Sequence, residues 1–192
     1  MNVVVSVNQE EVFRIPIINI ESIVTFGYMG ASPGVMKLCC DNGVSLTFLS
    51  PHGRFVSRIQ GATHGNVILR REQVHWIDNP EKALHIARII VAAKIMNYRN
   101  ILKRFVRDNG VNEEVSKVAD FLDMNRRDAL SATDIDSVRG IEGIAANRYF
   151  SVFRHLIIQN KNDFPFTERN RRPPKDAVNA LLSFAYTLLT ND

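Results

Sequence analysis

Cysteine is nearly absent, and where it falls removes two classes of protein. Among 192 residues only Cys39 and Cys40 are cysteines. Adjacent residues supply neither a disulfide framework nor the separated ligand pairs of a zinc site. Two small apolar side chains packed inside a fold are expected instead. Long apolar runs are missing too: Arg88 and Lys94 interrupt the greasiest stretch, well short of the roughly 18 residues that mark a membrane span. A membrane protein is therefore not expected. The opening MNVVVSVNQEE has no basic segment and turns acidic at once, so it does not read as a secretory signal and a cytoplasmic location is expected. Neither a phosphate-cradling glycine motif nor a serine nucleophile elbow occurs. His52, His64, His75, His85 and His155 show no pairing at ligand spacing.

What remains is an ordinary globular composition, 45% apolar and 23% charged, far from the signature of disorder. The length suits one or two domains. The net charge is only +4, but its distribution is uneven. Residues 54–107 carry eleven Lys or Arg against Glu72, Asp78 and Glu81, whereas residues 111–138 carry seven acids against Lys117, Arg126 and Arg127. A polyanion would favour one side.

Up to about residue 60 apolar side chains alternate: Val3, Val5, Val7; Phe13, Ile15, Ile17; Val44, Leu46, Phe48; Phe55, Ile59. That period predicts strands. Ser32 as cap and Pro33 at the first helical position predict one helix among them, closed by Asn42 and Gly43. Pro51, His52 and Gly53 predict a turn joining two strands as a hairpin. Beyond Gly65 the pattern becomes helical. Asn79 and Pro80 open a long helix that Gly110 closes, with Leu84, Ala87, Val91, Ile95, Tyr98, Leu102 and Phe105 as its packing seam. Beside that seam Arg88, Arg99, Lys103 and Arg107 form a stripe, either a solvated face or a row of phosphate contacts. Further helices are expected over 112–130, from a start between 134 and 142 through to 158, and from 176 to 189. The fold class is thus α+β: a small β-rich domain with one helix over residues 1–72, then an all-α domain over 73–192.

Three features carry chemistry. In RGIEGIAANRYFSVF, Glu142 shares a stripe with Ala146, Tyr149, Phe153 and Leu156. A carboxylate on such a stripe costs several kcal/mol unless a partner compensates it. Either an ion pair with Arg139 or Arg148, or a metal ion, would do so. His155 lies about 20 Å farther along a straight helix and could not share that metal. In FTERNRRPPKDAVNALLSF, Arg169, Arg171, Arg172 and Lys175 surround a stiff Pro-Pro, a solvated loop or a site for a nucleic-acid backbone. Arg70, Arg71 and the acid-free run 51–71 favour the second reading. Asn179 sits inside a helix among apolar residues, where its amide must find partners within the core or serve a site.

Four segments, NIESIVTFGYMGASPGVMKLC, SPHGRFVSRIQGATHGNVILRREQ, RGIEGIAANRYFSVF and RNRRPPKDAVNALLSFAYTLLTND, resemble the CRISPR-associated endonuclease and integrase of spacer acquisition, CRISPR-associated protein one. The likeness spans nearly the whole chain and is nearest the version found with type I-C systems. It implies a β-rich N-terminal dimerisation domain and a helical catalytic domain. It also implies a metal-dependent enzyme of adaptive antiviral defence that inserts short DNA into a CRISPR array by transesterification. Mn²⁺ or Mg²⁺ is the implied cofactor. Prespacer and repeat DNA, a second copy of the chain, and CRISPR-associated protein two are the implied partners.

By that resemblance Glu142 is a catalytic metal ligand, and Arg169, Arg171, Arg172, Lys175 and Asn179 are DNA-binding residues. The family's other ligands, a histidine and an aspartate, follow the helix that here ends at Asp192, and further strands usually precede the first one. The expectation is a chain truncated at both ends, its helical domain incomplete, with little or no catalysis by itself. The alternatives are a non-catalytic DNA-binding or dimerisation module and an unrelated helical scaffold.

Overall fold

A computed structural model describes residues 1–62 and 65–191; His64 lies outside them. The chain forms two compact units, Met1–Gly65 together with Leu181–Asp192, and Asn66–Ala180. The division expected at 72/73 falls inside a helix, Val67–Asp78 (α2), which Asn66 caps by accepting from the Leu69 N–H at 3.1 Å. Asn79-Pro80, the stronger start signal, follows directly and obscured this earlier helix in the sequence.

In the first unit the alternating segments form β1 (Asn2–Val7) and β2 (Glu10–Pro16), paired antiparallel. Asn8 and Gln9 both take positive φ, 52° and 70°, the left-handed pair that a two-residue hairpin turn needs to match strand twist. A three-stranded sheet follows, in the order β3-β4-β5: Ser22–Phe26, Ser45–Leu49 and Phe55–Ile59. β3 and β4 run parallel, joined by α1 (Pro33–Asp41). Ser32 Oγ accepts from the Val35 N–H at 3.3 Å to start that helix. It ends where Gly43 turns left-handed at φ 69°.

The expected hairpin joins β4 to β5, with the Ser50 N–H donating to Arg54 O at 2.8 Å and Gly53 at φ 75°. Val3, Ile17, Cys39, Val44 and Leu46 form the core. Cys39 is fully buried. Burial, with Cys40 adding to it, pushes its thiol upward, which keeps it protonated and unreactive.

The second unit is helical. α3 (Pro80–Asn109), α4 (Glu113–Ser131) and α5 (Ile135–Ser151) are each opened by a capping side chain. Asn79 Oδ1 accepts from Lys82 N at 3.0 Å, Asn112 Oδ1 from Val115 N at 3.1 Å and Asp134 Oδ1 from Ser137 N at 2.8 Å. Each bond satisfies an N–H that a helix start leaves orphaned. Every residue of the expected α3 seam is buried or half-buried; Ile95 and Leu102 of α3, Leu122 of α4 and Ala145 of α5 are all wholly excluded from water.

α5 is shorter than its sequence suggests. It stops at Ser151, and a single turn, α6 (Phe153–Leu156), follows after Val152. The break lets Phe153 lie 5.0 Å from Phe166 and 5.6 Å from Phe150, so aromatic packing outweighs helix continuity. The last helix, α7 (Ala177–Asn191), opens at Asp176, whose carbonyl accepts from the Ala180 N–H at 3.0 Å.

Candidate metal and nucleic-acid site

Glu142 stands on α5, half-buried, with 30% of its side chain exposed. Neither expected arginine reaches it. Arg139 donates to Asp136 at 3.1 Å, and Arg148 lies over the Phe121 ring at 5.1 Å. The partner is Lys94 of α3, whose ammonium donates to Glu142 Oε1. One turn along α3 the Tyr98 ring lies 5.8 Å from the same ammonium. Tyr98 in turn stacks on Tyr149 of α5, centroids 4.2 Å apart and planes within 8°. The α3–α5 seam therefore carries an ion pair above a stacked aromatic pair. Sequence reasoning missed Lys94. Its one signal is a charge sitting within the apolar α3 seam, between Val91 and Ile95.

Among the described residues no three His, Cys, Asp or Glu side chains gather as a metal site. His155 stays apart from Glu142 even though the helix between them breaks. Its Nε2 lies 2.9 Å from Glu114 Oε2, and its Nδ1 3.5 Å from Asn112 Nδ2. The hydrogen bond from His155, joined by Arg154, holds the Glu114 carboxyl below the usual carboxylate range. This cluster fastens α6 to the start of α4.

The basic loop is held from within. Asn179, in the first turn of α7, is wholly buried. Its Oδ1 accepts from Arg169 Nη1 at 2.7 Å and from the Asn170 N–H at 3.0 Å. Its Nδ2 donates to Glu168 O at 2.9 Å and to Asp176 Oδ2 at 2.6 Å. All four hydrogen-bonding positions of the carboxamide are used inside the protein. Asn179, expected to be a DNA-binding residue, is buried with its amide turned to organising the loop. Asp176 Oδ1 also accepts from the Asn179 N–H at 2.8 Å. Partial burial pushes the Asp176 carboxyl upward, but the hydrogen bonds from Asn179, from the Asn170 side chain and from the Val178 N–H together outweigh it and leave the group below its ordinary value.

Arg169 is half-buried, its guanidinium 5.9 Å from the Phe150 ring, so it supports the loop. Arg171, Arg172 and Lys175 are exposed. A cavity of about 510 Å³ between α5 and this loop reaches from Gly143, next to Glu142, to Arg171. Glu142 itself is not among the residues that line it; its carboxylate meets Lys94 of α3. The α3 stripe fares differently. Arg88 donates to Ala132 O at 2.6 Å, Arg99 lies 3.6 Å from Asp123, and Arg107 donates to Asp108 at 2.9 Å, so three of its four cations are engaged within the protein.

The CRISPR associated protein Cas1 family model matches residues 1–192. The chain belongs to the Cas1 family. It is 42% identical to CRISPR-associated endonuclease Cas1 1 of Chlorobaculum tepidum over 99% of this chain and 56% of that protein. With CRISPR-associated endonuclease Cas1 2 of Rhodospirillum rubrum it shares 40% identity over 100% of this chain and 57% of the relative. The chain thus spans a little over half the length of these Cas1 proteins.

Among solved structures, a Cas1 protein from Thermotoga maritima superposes with a TM-score of 0.72 at 24% identity, covering 98% of this chain and 57% of the other. A casposase bound to integration product gives 0.73 at 18% identity over 97% and 52%. At such identities the agreement concerns the Cas1 fold. No helix among the described residues is long and apolar enough to cross a membrane.

Proposed function

We propose that this chain is part of a DNA integrase and endonuclease of CRISPR spacer acquisition, acting in adaptive antiviral defence. The observation that carries the reading is identity of 40–42% along essentially all of the chain to proteins named as CRISPR-associated endonucleases. Glu142 ligates Mn²⁺ or Mg²⁺; Arg171, Arg172 and Lys175 bind the DNA backbone, and Asn179 and Arg169 hold their loop in place. A divalent ion supplies Lewis-acid stabilisation of a scissile phosphate. The described residues offer a single carboxylate already engaged by Lys94, which does not fit a complete metal site, so the 192-residue chain alone turns over little substrate. Prespacer and repeat DNA, a second copy of the chain and CRISPR-associated protein two are its partners. Likeness in fold to the protein described as a Cas6-RT-Cas1–Cas2 complex supports that assembly.

The test is strand transfer and nicking with Mn²⁺, for this chain and for a form extended past Asp192. Activity confined to the extended form, abolished by Glu142→Ala with DNA affinity retained, is the expected result. Undiminished turnover in Glu142→Ala would overturn the assignment. A second reading, a DNA-binding or dimerisation module without catalysis, is favoured by the Lys94–Glu142 pair. An inactive extended form that still binds duplex would establish it.

A further inference from the structure

Three guanidinium groups converge on one carboxylate where α3 packs along α4. Asp123, Arg126 and Arg127 stand at positions i, i+3 and i+4 of α4, on one face of that helix, and Arg99 joins them from α3. Arg127 Nη2 donates to Asp123 Oδ2 at 2.7 Å and Arg126 Nε to Oδ1 at 3.3 Å. Arg99 Nε lies 3.6 Å from Oδ1, beyond a hydrogen bond, and among the described residues this buried N–H has no hydrogen-bond partner. Arg99 is thus engaged but not satisfied. The hydrogen bond from Arg127, joined by that from Arg126 and by the charges of Arg127 and Arg99, outweighs burial and holds the Asp123 carboxyl below the usual range, so the acid carries its charge. Three positive groups against one negative leave an excess of positive charge. Lys103 and Asp120, the next turn along each helix, face one hollow and offset each other.

Arg99 and Arg126 keep only 23% and 26% of their side chains exposed, so their charges are screened less than those of a solvated face. Two carboxylate oxygens cannot satisfy three guanidinium forks, and the unused N–H groups are donors held in fixed planes. We propose that Arg99, Arg126 and Arg127 form an oxyanion site that receives a phosphodiester of the DNA backbone, in addition to the contacts of the Arg171, Arg172 and Lys175 loop. Phosphate oxygens match the guanidinium fork in pairs, Asp123 holds the forks in place before the anion arrives, and the incoming negative charge offsets the excess. Arg127, with 72% of its side chain exposed, reaches the strand first. A free phosphate ion carries the same oxygens, and the experiment separates the two sources. The inference rests on the reading of the chain as a DNA-binding protein and adds a second place of contact, on the α3–α4 face.

The experiment has two arms on the 192-residue chain: duplex DNA affinity across a salt series, and the Nε–H resonance of Arg99 followed while inorganic phosphate or the same duplex is added. Wild type, Arg127→Gln and the double variant Arg126→Gln/Arg127→Gln are compared. Losing one phosphate contact takes about 0.9 off the slope of log affinity against log salt. The double variant is expected to show that loss together with about tenfold weaker affinity. Duplex is expected to move the Arg99 resonance at concentrations where inorganic phosphate leaves it unchanged. Arg127→Gln alters an exposed side chain and gives the same comparison should the double variant not fold. Wild-type slope and affinity in the folded variants, with duplex binding intact, would overturn the site and leave the DNA reading standing. A resonance that follows inorganic phosphate as readily as duplex would give the site to a free anion and overturn the backbone contact. No salt-dependent duplex binding by wild type would overturn both the site and the DNA reading.

Discussion

Arg169 donates through Nη1 to the Oδ1 of buried Asn179 at 2.7 Å, so this arginine of the basic loop is a structural member, whereas Arg171, Arg172 and Lys175 are exposed. This separates side chains that a sequence presents as a single cluster, and it gives different expectations for each.

Asn179→Ala should be among the most damaging single substitutions in the second unit. It removes the acceptor of the Asn170 N–H and one acceptor of the Arg169 guanidinium, and a donor to the Glu168 carbonyl, and losing partners for several part-buried groups costs about 2–4 kcal/mol. Urea unfolding followed by circular dichroism measures it. A loss below about 0.5 kcal/mol, the scatter of neutral surface changes, would mean that the hub does not hold the loop.

Replacing Arg171, Arg172 and Lys175 together by alanine should flatten the salt dependence of duplex binding. Every phosphate that goes unneutralised takes about 0.9 off the slope of log affinity against log salt. Arg169→Ala should instead lower the melting temperature, with a smaller change in slope. Equal slopes for wild type and the triple variant would exclude the loop from the DNA interface.

Acid should loosen the same region. The Asp176 carboxyl lies below its ordinary value of 3.8, because hydrogen bonds from Asn179, Asn170 and Val178 together outweigh burial. A depressed carboxyl stabilises the fold above its unfolded value, and that contribution is lost as pH falls through the folded one. The melting temperature of wild type should therefore drop more steeply below about pH 4 than that of Asp176→Asn. Parallel curves would remove Asp176 from the acid response.

Leu122→Ala tests the helical core. Leu122 is wholly buried on α4, and truncating such a leucine costs about 2.7–5 kcal/mol, depending on how far the cavity relaxes. Chemical unfolding of the chain reports the change directly.

Local signals were legible in the sequence wherever one residue type has one physical job. Ser32, Asn79, Asn112 and Asp134 each begin a helix because each offers an oxygen to an orphaned N–H. Period-two alternation marked β1 and β2, whose pairing needs no other element. β3 went unseen because Ile23 and Val24 are consecutive apolar residues without alternation, and it is made a strand by parallel pairing with β4. The end of α5 at Ser151 depends on Phe166, thirteen residues beyond Phe153. Within the candidate site, Glu142 and the arginine loop stood out as local oddities. Lys94, 48 residues from Glu142, became its partner only through the packing of α3 on α5, and no spacing rule joins them. Asn179 was conspicuous as a polar residue among apolar ones, but whether it faced inward depended on loop carbonyls and N–H groups eight or more residues away.

Because the amide of Asn179 fastens residues 168–170 from behind, the conformational freedom of that segment is surrendered when the chain folds, not when an anion arrives. A rigid array of exposed guanidinium and ammonium groups meets its ligand with little entropy left to lose. Association through Arg171, Arg172 and Lys175 should consequently be driven chiefly by the release of condensed ions, with little ordering of the polypeptide.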